Sequence, residues 1–291
     1  MNESVSVLAR HGRSFSLAGK LLPTNILGPA AELYAFCRAV DDLADETPDP
    51  DAARRALEVL RAAIEAQDPS HPLAMRLLAL HCSHGVSLTA GITLIDTMLQ
   101  DLGLVRLADE TELLRYAYGA AGTVGLMMCP ILGATFGEAE PHAIDLGIAM
   151  QLTNIARDVV ADAAADRLYL PSNWLPQGTE PAVLTSIPRP VFAAVRRVLD
   201  LADRRYRSVE RGYCHLPARV RPAIRAAARI YEEIGLGILR RGPDYLLSGR
   251  YVVPMPRKLL LMAGCLVPGA RTRTAHPVLP SPIRDVPGAR A

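Results

Sequence analysis

Gln151-Leu152-Thr153-Asn154-Ile155-Ala156-Arg157-Asp158-Val159-Val160-Ala161-Asp162 reads as one helix with a polar stripe. Asp158 and Asp162 are four apart, Asn154 is four before Asp158 and Gln151 seven before it, so these groups share a face. Tyr34-Ala35-Phe36-Cys37-Arg38-Ala39-Val40-Asp41-Asp42-Leu43-Ala44-Asp45-Glu46 repeats the arrangement. Asp41 and Asp45 are four apart, with Arg38 three and Tyr34 seven positions before Asp41. Like charges at that spacing cost about 0.2–0.5 kcal/mol, and burying them without a partner costs far more. Both costs vanish if the carboxylates hold divalent cations. Mg²⁺ takes hard oxygen ligands and usually keeps substrate phosphates and water among them. One such pair alone is most simply a solvated acidic face. Two pairs, each on an apolar helix with amide or arginine companions, point to a cluster of Mg²⁺ on a diphosphate.

Most of the remaining chain is also helical, with Ala, Leu, Arg and Glu recurring and no alternation of the strand type. Helices are expected over 28–46, 51–65, 71–83, 85–101, 109–136, 140–163, 191–211, 217–241 and 256–266. Thr47-Pro48-Asp49-Pro50 separates the first two, Leu216-Pro217 separates two late ones, and Pro171 to Pro190 is a long proline-rich connection. The fold class is therefore all-α. Residues 1–270 read as one helical domain, and 271–291, rich in Pro, Arg and Ser, read as a disordered tail.

Composition narrows the function. The 291 residues carry 32 basic and 30 acidic groups, a net charge of +2 that gives little reason to expect nucleic acid. The basic residues are nearly all arginine, which suits bidentate phosphate contacts but also follows from biased base composition. Cys37, Cys82, Cys129, Cys214 and Cys265 show no ligand-like spacing and read as buried thiols in a reducing compartment. Met1 to Arg10 has no apolar signal core, and no stretch has the continuous span of a membrane crossing. A cytoplasmic protein is expected, with peripheral contact at the inner face of the cell membrane allowed. No P-loop, dinucleotide fingerprint, zinc-protease motif or nucleophile elbow occurs.

The two acidic segments resemble those of the squalene/phytoene synthase family, the head-to-head trans-isoprenyl diphosphate synthases, and most closely the bacterial phytoene synthases. The likeness runs from about His11 to Pro171 and continues weakly through the helix of Tyr231. It implies an isoprenoid synthase fold, with helices around a central apolar cavity. It also implies that Asp41, Asp45, Asp158 and Asp162 bind Mg²⁺, or Mn²⁺ in its place, together with the substrate diphosphates. Asn154 joins that ligand set, and Gln151 lies with the substrate. Arg38 and Arg157 are implied as diphosphate contacts, a role the planar guanidinium fork suits, and Arg167 is expected to reach phosphate or to anchor the flap over the site. His11-Gly12-Arg13-Ser14-Phe15 resembles the family's N-terminal motif, with His11, Arg13 and Ser14 beside a diphosphate. Tyr34, Tyr116 and Tyr169 match tyrosines near the reaction centre, although each reads equally well as a core tyrosine with one hydrogen bond.

The run Gly119-Ala120-Ala121-Gly122-Thr123-Val124-Gly125 reads as a close helix contact. The resemblance adds that Ala121, Val124 and Gly125 line the pocket beside a local helix break. Phe15 and Gly19 are one turn apart, and a glycine there leaves room for C20 chains. One departure stands out: Val160-Ala161-Asp162 lacks the glutamate that often precedes the last aspartate in the family, which implies a somewhat lower metal affinity.

The activity implied is a Mg²⁺-dependent prenyl transfer that joins two isoprenyl diphosphates head to head through a cyclopropylcarbinyl diphosphate. Geranylgeranyl diphosphate giving phytoene is the expected pair. A C30 synthase acting on farnesyl diphosphate is the alternative, with NADPH required only if squalene is the product. A non-catalytic helical assembly protein of the same family is the rival of another class, and it typically has eroded acidic motifs. A Ser or Cys hydrolase lacks a placed nucleophile. A zinc site on Cys82 and His84 lacks a shared face and a second pair. Monomer and homodimer both stay open.

Overall fold

The computed structural model describes Ser4, residues 13–135 and residues 137–266. His11 and the stretch 271–291 lie outside these residues, as do the side chains of Arg13, Ser14 and Phe15. The helices are α1 (Arg13–Gly19), α2 (Thr24–Asp45), α3 (Pro50–Glu65), α4 (Pro72–His84), α5 (Leu88–Asp101), α6 (Glu110–Ala117), α7 (Thr123–Leu132), α8 (Glu140–Ala164), α9 (Pro188–Gly212), α10 (Arg221–Arg241) and α11 (Met255–Leu266). No strand occurs among the described residues, and one isolated bridge joins Arg106 to Leu168. The fold is all-α, as expected.

Local chemistry sets most boundaries. Asp49 caps α3 by accepting from Asp51 N at 3.0 Å, with Pro50 at the first helical position. Asp109 caps α6 through Thr111 N and Glu112 N, and the Glu112 carboxylate reaches back to Ala108 N at 2.6 Å. Several boundaries differ from the expected ones: α1 was not expected, α5 begins at Leu88 rather than 85, α9 at Pro188 rather than 191 and α10 at Arg221 rather than 217. The first expected helix begins at Thr24 rather than 28, carrying Pro29 inside it at the loss of one backbone hydrogen bond. The expected helix 109–136 is broken: a π turn at Tyr118–Gly122 separates α6 from α7. Gly119 and Gly122 allow the carbonyl ladder to slip by one residue there.

The interior divides into two apolar clusters. One draws on α2, α3, α4, α5 and α7, and the other on α6, α8, α9 and α10. Helix α8 runs between them and packs on α7, α9, α10 and the π turn. A buried ion pair fixes it to α9, where Arg205 meets Asp145 and Ser208 donates to the same carboxylate. On its other side α8 touches α7 and the π turn backbone to backbone. A Cβ on Gly125 would stand 2.1 Å from Ala143 O, and one on Gly147 would stand 2.1 Å from Ala121 O. Gly147→Ala is therefore expected to cost about 2–3 kcal/mol, because two helix backbones must separate. A urea denaturation midpoint near that of the unaltered protein would contradict this.

The connection from 165 to 187 crosses the molecule in short 3₁₀ turns, Ser172–Trp174 and Pro181–Ser186. It is tied to the α5–α6 connection by Leu168 N to Val105 O at 3.1 Å and Ser172 N to Leu107 O at 2.8 Å. These bonds place Arg167 and Tyr169 beside the C-terminal end of α5. All five thiols are free. Cys37 and Cys129 are buried, but Cys82 and Cys214 are exposed and Cys265 is partly so, which corrects the expectation that all are buried. Cys82 sits on the outward face of α4, and Cys214 lies in the turn after α9. No helix of the described residues is long and apolar enough to cross a membrane.

Candidate active site

A cavity of about 690 Å³ opens between α1, α2, α7, α8 and α10. Leu27, Leu132, Leu146, Met150, Leu216 and Ile224 make much of its wall. Of the residues singled out in the sequence, Gly19, Tyr34, Arg38, Asp41, Ala121, Val124, Gly125, Gln151, Asn154, Arg157 and Tyr231 also line it. Asp45, Asp158, Asp162, Arg167, Tyr116 and Tyr169 stand outside the lining, next to its polar end. Polar groups thus gather at one end of an otherwise apolar chamber, because Arg38 and Asp41 lie near the C-terminal end of α2 and Asn154 and Arg157 in the last turns of α8.

The carboxylates of that end are held by arginines. Arg157 forks onto Asp158 through Nε at 2.9 Å and Nη2 at 2.6 Å, and Arg250 reaches the same carboxylate at 2.9 Å. Arg167 Nη1 pairs with Asp45 at 2.7 Å, bridging the connection after α8 to the end of α2. Arg38 is held by Asp42, its neighbour one turn on, and by Glu46 at 3.2 Å. Burial pushes Asp41 up to about 7, against the pull of Arg38 and helped by Asp45, Asp42 and Asp101. Asp162 is also pushed up to about 7, by burial and then by the charge of Asp158, with Arg167 pulling the other way. Asp101 adds to the rise at both Asp41 and Asp162.

A fifth carboxylate, missed in the sequence, links them. Asp101, buried at the last turn of α5, accepts from the phenol of Tyr116 at 2.8 Å and from that of Tyr169 at 3.2 Å. The two rings lie 4.6 Å apart. Burial raises Asp101 to about 6, while the two phenols and Arg167 pull it down and Asp45 adds to the rise. Tyr116 and Tyr169 are thus turned onto an acidic anchor between the two motifs rather than into the chamber. Asp101 has no carboxylate partner at helical spacing that would have marked it. Arg250 and Lys258 were also missed. Both line the cavity, and Lys258 is a buried cation on α11. Single basic residues in a loop and on a short helix carry no periodic signal.

The donor set can be tested against a divalent cation. No group of three or more His, Cys, Asp or Glu among the described residues stands close enough to hold a metal unaided. Asn154 Oδ1 is buried and accepts no hydrogen bond, and Asp41 and Asp162 are pushed up partly by neighbouring carboxylates. Hard oxygen donors on two helices, with an unsatisfied acceptor among them, fit Mg²⁺ whose coordination is completed by phosphate and water.

The profile of the family described as squalene/phytoene synthase matches residues 8–257. The chain belongs to the squalene/phytoene synthase family. It is 35% identical over 252 residues to a 15-cis-phytoene synthase of Paracoccus sp. (strain N81106 / MBIC 01143), covering 83% of each chain. It is 38% identical over 262 residues to a phytoene synthase of Thermus thermophilus, covering 88% of this chain and 89% of that one. Among solved structures, a dehydrosqualene synthase bound to a ligand superposes with a TM-score of 0.77 at 26% identity, over 90% of this chain and 93% of that one. A squalene synthase from Alicyclobacillus acidocaldarius superposes with a TM-score of 0.71 at 23% identity, over 85% and 95%, a likeness of fold. Family membership supports head-to-head isoprenoid condensation as the reaction class.

Proposed function

We propose that this squalene/phytoene synthase family member condenses two molecules of geranylgeranyl diphosphate head to head, releases diphosphate and yields phytoene. The observation that carries the reading is the apolar chamber with two carboxylate stripes and a set of arginines at one end. Mg²⁺, held by Asp41, Asp45, Asn154, Asp158 and Asp162, would supply Lewis-acid neutralisation of the leaving diphosphate. Arg38, Arg157, Arg167, Arg250 and Lys258 offer guanidinium and ammonium donors to the same phosphates. The apolar wall excludes water, which would otherwise quench an allylic cation as an alcohol. Tyr34 lines the chamber between the polar end and the wall, where its ring face can steady positive charge. Asp101 positions Tyr116 and Tyr169 by accepting a hydrogen bond from each phenol.

The C20 assignment is supported by the phytoene synthases among the relatives and by Gly19, which lines the chamber and has no side chain to shorten it. The likeness to a dehydrosqualene synthase favours a second reading, a C30 synthase using farnesyl diphosphate. Purified protein with Mg²⁺ should be incubated with each diphosphate, with and without NADPH, and its hydrocarbons weighed by mass spectrometry. C40 product without NADPH is the expected result. C30 product alone would overturn the chain length, and no turnover by folded protein would overturn the enzyme reading.

Gly19→Phe fills the chamber wall and should shift the ratio of C40 to C30 product by about tenfold toward C30, the scale of a few methylenes excluded from an apolar pocket. An unchanged ratio in a competition assay would remove Gly19 from the length-setting wall.

A further inference from the structure

Eight of the thirteen large apolar side chains exposed among the described residues fall between 236 and 266. Leu247 is 70% exposed, Val252 64% and Leu260 62%. On α11, Lys258 turns inward to the cavity, while Met255, Leu259 and Leu260 face outward. Met255 and Leu259 are four apart and share a stripe. Helix α11 packs on α10, which adds Leu236 and Leu239.

The same stretch is basic. With Lys258 turned inward, Arg240, Arg241, Arg250 and Arg257 stand against a single acid, Asp244. Glu233 on α10 takes Arg240 at 2.6 Å and Arg257 at 2.9 Å, yet those arginines stay 57% and 45% exposed. Arg241 lies 4.8 Å over the ring of Tyr251. The surface also adjoins the chamber, since Tyr251, Val252 and Val253 line the cavity and Val252 is at the same time exposed.

We propose that this face, α11 with the 247–252 loop and the end of α10, docks on a bilayer containing anionic lipid. Outward leucines among arginines match an apolar interior beneath a negative headgroup layer. The chain's own residues 267–291 are a poor cover, because they carry four arginines and one aspartate and so repeat the sign of the rim. A second copy meeting this face through a twofold axis would likewise bring basic rims together. The docked orientation would set the chamber edge at the lipid surface, where an apolar product can leave without crossing water.

The test is co-sedimentation of the full chain with vesicles of phosphatidylcholine alone and with added phosphatidylglycerol. Binding to the anionic vesicles, weakened by salt, is expected. Leu259→Glu with Leu260→Glu should reduce it by about tenfold or more, since two apolar anchors become charges facing an anionic surface. Val59→Glu with Met75→Glu, placed on α3 and α4, should leave it unchanged, and melting curves would show that both pairs fold. Equal or absent binding to the two vesicle types overturns the proposal. Binding that survives at Leu259 and Leu260 but disappears when 267–291 are removed assigns the contact to the tail and overturns it too. A dimer that the leucine pair breaks, without vesicle binding, gives the face to a second copy. Binding is read without substrate, so its failure leaves the prenyl-transfer reading untouched.

Discussion

Asp41→Asn is expected to lower product formation by about 10³-fold while raising the protein's melting temperature at pH 8 in buffer without Mg²⁺. The two effects have one origin. Asp41 is a half-buried carboxylate facing Asp42, Asp45 and Asp101, and its folded pKa of about 7 exceeds the ordinary value of 3.8. Between those values the folded chain holds a proton that the unfolded chain has released. Stability therefore falls as pH rises through that window and stays lower above it. Asparagine has no proton to lose, so its advantage over the native residue should be small near pH 4 and largest above pH 7. Each ~1 kcal/mol recovered moves the melting temperature of a chain this size by about 2–4 °C or slightly less. Added Mg²⁺ with diphosphate should stabilise the native protein and not the variant. Removing a group that stabilises developing charge costs about 10²–10³ in rate, and a carboxylate proposed to hold Mg²⁺ beside the leaving diphosphate belongs at the upper end. Melting curves from pH 4 to 8 beside the product assay check both halves. A variant less stable than the native protein at pH 8, or one that retains activity, would contradict the argument.

Asp101→Ala should lower kcat/KM by about 10²-fold and stability by about 2–4 kcal/mol. It strips the shared acceptor from Tyr116 and Tyr169, and a buried donor left unpaired costs roughly 1–3 kcal/mol. The site loses twice, since the phenols are freed and the charge felt by Asp41, Asp162 and Arg167 is removed. Asp101→Asn separates the two contributions. Its amide oxygen still accepts both phenols, so most of the stability should return. If the charge matters to the chemistry, the rate should stay about tenfold low. Full recovery of the rate in Asp101→Asn would make the residue a structural peg alone.

What could be read from the chain and what could not divide along a physical line. Periodic signals survived intact: the i,i+4 aspartates with their amide and arginine companions fall on α2 and α8, whose ends meet at the polar mouth. Proline and aspartate punctuation at Pro48-Asp49-Pro50 set the start of α3. Signals that depend on distant pairing were invisible. Asp101 matters because α5, α6 and the connection after α8 converge on it, and nothing within one turn of it says so. Arg250 and Lys258 enter the site only because the chain folds back after α10. The resemblance implied a local break beside Ala121, but its form as a π turn was hidden, because a glycine pair in an apolar helix serves slippage and close packing equally well. Here it does both, with Gly125 and Gly147 in the packed contact and Gly119 and Gly122 in the turn. His11 and the side chains of Arg13, Ser14 and Phe15 lie outside the described residues.

The backbone contact of α8 with α7 and the π turn bears on how such a chamber can be retuned. Where Gly125 meets the Ala143 carbonyl and Gly147 meets that of Ala121, the wall is main chain against main chain, and a larger residue at either glycine pries the helices apart instead of narrowing the bore. That side is mechanically closed to gradual change. The opposite side, from Ala18 and Gly19 through Leu27 and Ala30, and the Ile224–Ala227 turn of α10, is built of side chains that can be exchanged one at a time. Drift in product length is thus channelled into a few positions on those helices, and a library aimed there samples chain length without spending its members on misfolded protein.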